Sequence, residues 1–156
     1  MIVCKSPAEI EKMRRAGRVV REVLEAVRAT VAPGVSTMDL ERAAETKLNE
    51  LGGKAAFKGV DNGYSKYKHM LCTSVNNEII HGIPSDKRIL KAGEIVSIDF
   101  GAIVDGYFGD SAITVAVGEI DPVAKRLLEV TQQSLYKALD EVAVGNTLGD
   151  IGAAVQ

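Results

Sequence analysis

Asp99 and Asp110 flank an Asp105-Gly106 turn signal, and His81 stands upstream in a His-Gly-Ile-Pro segment. Carboxylates held close together can bind a cation, pair with an Arg or Lys, or share a proton. Residues 94–117 read as two β-branched runs around Val104-Asp105-Gly106, and Asp-Gly between such runs predicts a hairpin. If the turn centres on Val104-Asp105, Asp99 lies directly opposite Asp110. If it centres on Asp105-Gly106, Asp110 pairs with Gly101 and Asp99 is its diagonal neighbour. Side chains alternate with period 2, so either register puts both carboxylates on one face. A single β-bulge would break that parity.

Like charges on one sheet face repel, and strands are poor places for Asp. Residues 95–98 and 112–117 contain no Lys or Arg, which favours a cation as the compensating charge. The plainer alternative has Asp99 buried under backbone N–H groups while Asp110 belongs to the turn.

The elements that must position these residues are readable from caps and periodicity. Ser6-Pro-Ala-Glu9 is a capping box with Pro at the first helical position. Behind it Ile10, Met13, Gly17, Val20, Leu24, Val27 and Val31 form one packing stripe of a long helix, ended by Pro33-Gly34. A second helix starts at Ser36-Thr-Met-Asp39 and stops at Gly52-Gly53. Residues 55–84 read as short strands and a polar loop in which His69 is an exposed residue without a role. After the hairpin, Asp121-Pro122 opens a third helix to about Val142, carrying Leu127, Leu128, Leu135 and Leu139. A fourth begins near Asp150. The order helix, helix, strands, helix, helix predicts an α+β fold with antiparallel pairing.

The 156 residues suit a single domain, and the 46% hydrophobic content without Trp predicts an aliphatic core. A net charge of −2 without a polybasic block gives no sign of a nucleic-acid groove or membrane surface. Lys12-Met-Arg-Arg15 reads as a solvated helix face. Cys4 and Cys72 stand far apart with no C-x-x-C, which suits a reducing compartment. No signal peptide, transit peptide or transmembrane run is apparent, so a soluble cytoplasmic protein is expected.

The chain also overlies itself. Val31-Ala-Pro-Gly-Val-Ser-Thr-Met-Asp39 aligns with Val142-Ala-Val-Gly-Asn-Thr-Leu-Gly-Asp150 at an offset of 111 positions, and Arg15, Val19 and Leu24 meet Arg126, Val130 and Leu135. Repeated units leave this trace, although capping rules alone give any two helix–turn–helix segments a Gly stop and a polar cap. A real repeat would mean that the second copy stops early in its second helix.

Asn76-Asn-Glu-Ile-Ile-His81-Gly-Ile-Pro84, followed by Asp99-Phe-Gly-x4-Gly106-Tyr-x2-Asp110-Ser-Ala-x-Thr114, resembles type I methionine aminopeptidases. Lys5-Ser-Pro-x-Glu-Ile-x-Lys-Met-Arg-x-Ala-Gly17 is similar to the start of the short bacterial form, which lacks a zinc-finger extension. The resemblance covers essentially all 156 residues. It implies the pita-bread fold, two pseudo-symmetric halves with the metal site between them. Residues 1–118 would form the first half and residues 119–156 the beginning of the second, the remainder being absent.

By that resemblance Asp99 is a ligand to one divalent metal and Asp110 a bridge between two, the ions being Co, Mn, Fe or Zn. His81 resembles the catalytic histidine that contacts the substrate amide; the alternative is a turn histidine held by Gly82 and Pro84. Tyr64, Tyr67 and Cys72 match the wall of the pocket for the methionine side chain, although the Tyr-x-Gly-Tyr-Pro pattern of the family is replaced by Tyr64-Ser-Lys-Tyr67-Lys. Sulfur packs well on aromatic rings.

The family completes its site with a His, two Glu and a second catalytic His from the second half. Both His of this chain precede Asp99, and Glu119, Glu129 and Glu141 match no motif. The chain alone is therefore expected to bind metal partially or weakly.

The implied activity is metal-dependent removal of the initiator methionine from nascent polypeptides with a small second residue, at the ribosome. The rival expectations are an Xaa-Pro peptidase relative and a non-catalytic pita-bread fragment or binding module. A half-open sheet should expose apolar surface, predicting self-association or a complementing C-terminal fragment.

Overall fold

The computed structural model describes residues 3–61, 63 and 65–156. In chain order the elements are α1 (Pro7–Thr30), α2 (Thr37–Leu51), β1 (Lys54–Ala55), β2 (Leu71–Val75), β3 (Ile95–Val104), β4 (Tyr107–Ala116), α3 (Pro122–Asp140) and α4 (Leu148–Val155). They group into two compact units, Met1–Glu119 and Ile120–Gln156.

In the first unit, α1 begins at the expected capping box. The Glu9 carboxylate accepts from the Ser6 N–H at 2.8 Å and from its hydroxyl at 2.7 Å. These bonds, the backbone one foremost, hold the Glu9 carboxyl down at about 2. The packing stripe begins later than its spacing implied. Ala16, Val20, Val23, Leu24 and Val27 are buried, whereas Ile10 and Met13 remain exposed. The first turns of α1 lie beside the hairpin tip instead of over the core. There the Tyr107 hydroxyl donates to Glu9 at 3.1 Å and Arg15 pairs with Asp105 at 2.9 Å. Helix α2 has its own capping box at Ser36 and Asp39, and ends on Gly52 in the left-handed conformation, φ +68°.

β3 is the centre of an antiparallel sheet. β4 occupies one edge along the whole of β3, while β1 and β2 share the other. The even-numbered β3 side chains Val96, Ile98, Phe100 and Ala102 are fully buried, in one core with Leu71 and Val75 of β2 and with Val20, Val27, Leu40 and Leu48 of the two helices. Period-2 alternation sends Ser97, Asp99, Gly101 and Ile103 to the opposite face. One sheet face is thereby apolar and helix-covered, and the other carries the polar residues.

In the second unit, Asp121 caps α3 by accepting from Val123 N–H at 2.8 Å and Ala124 N–H at 3.0 Å. Leu127, Leu135 and Leu139 are each more than half exposed. Helix α4 opens at Leu148, two residues before the expected Asp150, because Thr147 is its N-cap. Thr37 opens α2 and Leu148 opens α4 at the 111-position offset. In both, an Asp three residues past the cap accepts from the cap hydroxyl, at 2.6 Å for Ser36 and 2.8 Å for Thr147.

Candidate active site

Hairpin register decides how the two aspartates meet. Val104 pairs with Tyr107, leaving Asp105 (φ +50°) and Gly106 (φ +79°) as a two-residue loop. Two consecutive positive φ angles make a type I′ turn, whose twist matches the strands. Of the two registers open to the sequence, the structure therefore has Asp110 opposite Gly101 and Asp99 opposite Ala112. The ten pairs from Ile95–Ala116 to Val104–Tyr107 run without a bulge. Parity holds, and the carboxylates are diagonal neighbours on one face. Asp110 belongs to β4 and not to the turn.

Burial pushes the Asp99 carboxyl above its ordinary value. The Asp110 carboxylate adds to this by charge and hydrogen bonding, against the opposing influence of His81 and the Phe100 N–H. Among the described residues, neither aspartate has a Lys or Arg ion-pair partner.

His81 reaches this pair through the outer edge of β2. Three N–H groups on that edge find partners outside the sheet. Leu71 donates to Glu41 at 3.3 Å, Thr73 to the Gly82 carbonyl at 2.8 Å, and Val75 to Glu78 at 2.9 Å. The Gly82 N–H in turn donates to the Ser74 hydroxyl at 3.1 Å. A Cβ on Gly82 would collide with the Thr73 carbonyl oxygen, so only glycine lets the segment lie this close. His81, immediately before it, adopts φ +60°, a conformation that non-glycine residues rarely take. Its side chain is exposed, within electrostatic reach of Asp99.

Cys72 stands opposite Asp99 in the β2–β3 register and is buried. Burial pushes its thiol up and the nearby carboxylates of Asp99, Glu41 and Asp110 add to this, while a hydrogen bond with Tyr67 works against it. The Tyr67 hydroxyl donates to the Leu71 carbonyl at 2.9 Å and lies 3.4 Å from Cys72 Sγ. Burial raises its phenol as well. Tyr64 lies outside the described residues. The Phe57 ring covers Gly101, where an added Cβ would come within 2.8 Å of it, and so forms an aromatic wall beside Asp110's cross-strand partner.

His69 is not the exposed loop residue that its polar neighbours implied. Its side chain is only 20% exposed, with Nδ1 3.7 Å from Glu41 Oε1 and its ring edge-on to Tyr67. Glu41 escaped the sequence reading altogether. Its position was the signal: Thr37, Glu41, Ala44 and Leu48 follow helical spacing, so a carboxylate sits in the buried stripe of α2.

Two adjacent hard carboxylates are suitable donors to a divalent cation, and they supply part of a coordination shell. Among the described residues, no group of three or more His, Cys, Asp and Glu is arranged to hold a metal.

The sequence profile of metallopeptidase family M24 matches residues 11–156. The chain belongs to metallopeptidase family M24. Within it, the chain is 47% identical to the methionine aminopeptidase of Aquifex aeolicus over 152 residues, covering 96% of this chain and 59% of that protein. The solved methionine aminopeptidase of Thermotoga maritima superposes with a TM-score of 0.93 at 42% identity, covering 100% of this chain and 61% of that one. The prolidase of Pyrococcus horikoshii is 22% identical with a TM-score of 0.80 over 97% of this chain and 41% of its own, a likeness of fold alone. The M24 chain thus has the expected α+β pita-bread architecture. It spans about 60% of the length of the curated relatives it matches. No helix among the described residues is long and apolar enough to cross a membrane.

Proposed function

We propose that this M24 chain is the first half, with the opening of the second, of a methionine aminopeptidase that removes the initiator methionine from nascent polypeptides with a small second residue. One observation carries the reading: Asp99 and Asp110 share a sheet face, with Cys72 across from Asp99 and His81 within its electrostatic reach. Residues 1–118 form the first half in this reading, and residues 119–156 begin the second. Asp99 would ligate one divalent ion and Asp110 would bridge two, drawn from Co, Mn, Fe and Zn. When bound, such ions supply Lewis acidity toward the scissile carbonyl and an acidified water.

The remaining work falls to side chains of this chain. The exposed imidazole of His81 hydrogen-bonds the substrate amide and fixes its orientation. Tyr64, Tyr67 and Cys72 wall the thioether, and burial keeps Tyr67 and Cys72 protonated, so that they present neutral, polarizable surfaces to sulfur. A His, two Glu and a second catalytic His would complete the site from beyond these 156 residues. The setting is cytoplasmic, at the ribosome. Self-association or a C-terminal complementing chain would cover the apolar surface of α3.

In the complete enzyme, Asp99→Ala and Asp110→Ala should each abolish metal-dependent release of methionine from a Met-Ala-Ser peptide. Wild-type turnover in either variant would overturn the proposal. Preference for an Xaa-Pro substrate over Met-Ala would transfer the site to the other peptidase class of this fold.

A further inference from the structure

The buried carboxylate of Glu41 is the strongest feature that the proposed reaction does not use. Only 7% of the residue is exposed, and it sits on α2, an element that carries none of the proposed ligands. Ionised carboxylates are costly to bury unless several donors meet them. Here Met70 N–H donates at 2.7 Å to one oxygen and Leu71 N–H at 3.3 Å to the other. The first oxygen also faces His69 Nδ1 at 3.7 Å. His69 stacks edge-on against Tyr67, with ring centroids 5.7 Å apart, and Tyr67 touches Cys72. Among the described residues, these contacts of Glu41 all lead to the segment that carries Tyr67 and Cys72.

We propose that Glu41 is the positioning residue of the thioether pocket, clamping the entry of β2 so that Tyr67 and Cys72 stand together opposite Asp99. The inference rests on reading Tyr67 and Cys72 as the wall of that pocket. Met70 precedes β2 and Leu71, although in register with Phe100, turns its N–H away from β3, so the sheet holds neither of these two N–H groups. Without the carboxylate, two buried donors lose their acceptor and the strand entry can swing outward. Asp99 would stay in place, since β3 is held along its full length by β4.

The test uses the 156-residue chain with Cys4→Ser, leaving Cys72 as the single thiol. Glu41→Gln keeps one acceptor oxygen and nearly the same volume, whereas Glu41→Ala removes both. Alkylation of Cys72 by iodoacetamide, compared at equal thiolate fraction from its pH profile, should accelerate by about tenfold in Glu41→Gln and by more in Glu41→Ala. Amide exchange protection at Ile98 and Ile113 in the β3–β4 hairpin should be unchanged. Unchanged alkylation in a folded variant overturns the proposal, and so does acceleration matched by equal loss of hairpin protection. In the complete enzyme, Glu41→Gln should raise KM for Met-Ala-Ser several-fold at unchanged kcat. If the unaltered enzyme does not cleave that peptide, the aminopeptidase reading falls, and alkylation alone decides the clamp.

Discussion

Thr73 illustrates how much the fold leaves to single atoms. Its side chain points into the core, 2% exposed, and among the described residues its hydroxyl has no hydrogen-bond partner. Thr73→Val removes an unpaired buried hydroxyl without changing the branching at Cβ. It should stabilise the chain by about 1 kcal/mol, read from the urea midpoint at constant m. Glu94 shows the opposite balance. Burial alone would raise its carboxyl, but the Lys91 N–H at 2.9 Å and Arg88 at 3.0 Å outweigh it and hold the group below its ordinary value. A depressed folded value means that its stabilisation is complete above the unfolded value of 4.5 and is lost as pH falls through the folded one. Glu94→Gln should therefore cost about 1 kcal/mol at pH 7, and the two proteins should converge in denaturation midpoint in strong acid.

At the scale of elements, the seam between α1 and β4 leaves no room for a side chain at Gly109. A Cβ on Gly109 would sit 2.7 Å from the Ala16 carbonyl carbon and 2.9 Å from the Gly17 nitrogen. Those are backbone atoms and cannot rotate aside. Gly109→Ala should destabilise by about 2 kcal/mol, seen as a lowered thermal midpoint, and should disturb β4 next to Asp110. Caps and turn chemistry were legible in the sequence at this scale. Ser6, Ser36 and Asp121 open their helices where expected, and Asp105-Gly106 makes the hairpin, because each feature depends on residues within four positions of itself. The stripe of α1 was legible only in part. Periodicity cannot tell that Ile10 and Met13 run beyond the core to the hairpin tip.

For the whole molecule, the proposed function implies an incomplete metal shell, since no group of three or more His, Cys, Asp and Glu among the described residues could hold a metal. Calorimetric titration of the 156-residue chain with Mn²⁺ or Co²⁺ should give weak binding, diminished further by Asp110→Ala. Tight binding of two ions would mean that this chain supplies more ligands than the two aspartates. What the sequence by itself determined is the local chemistry: the parity of Asp99 and Asp110, the Asp105-Gly106 turn, and the helix caps. These follow from period-2 alternation, steric exclusion and short-range hydrogen bonding. Tertiary structure decided the burial of His69 and the contacts of Glu41. Each depends on groups far apart in the chain. Glu41 meets Met70 and Leu71 only after α2 has packed against the sheet, and no local rule connects those positions.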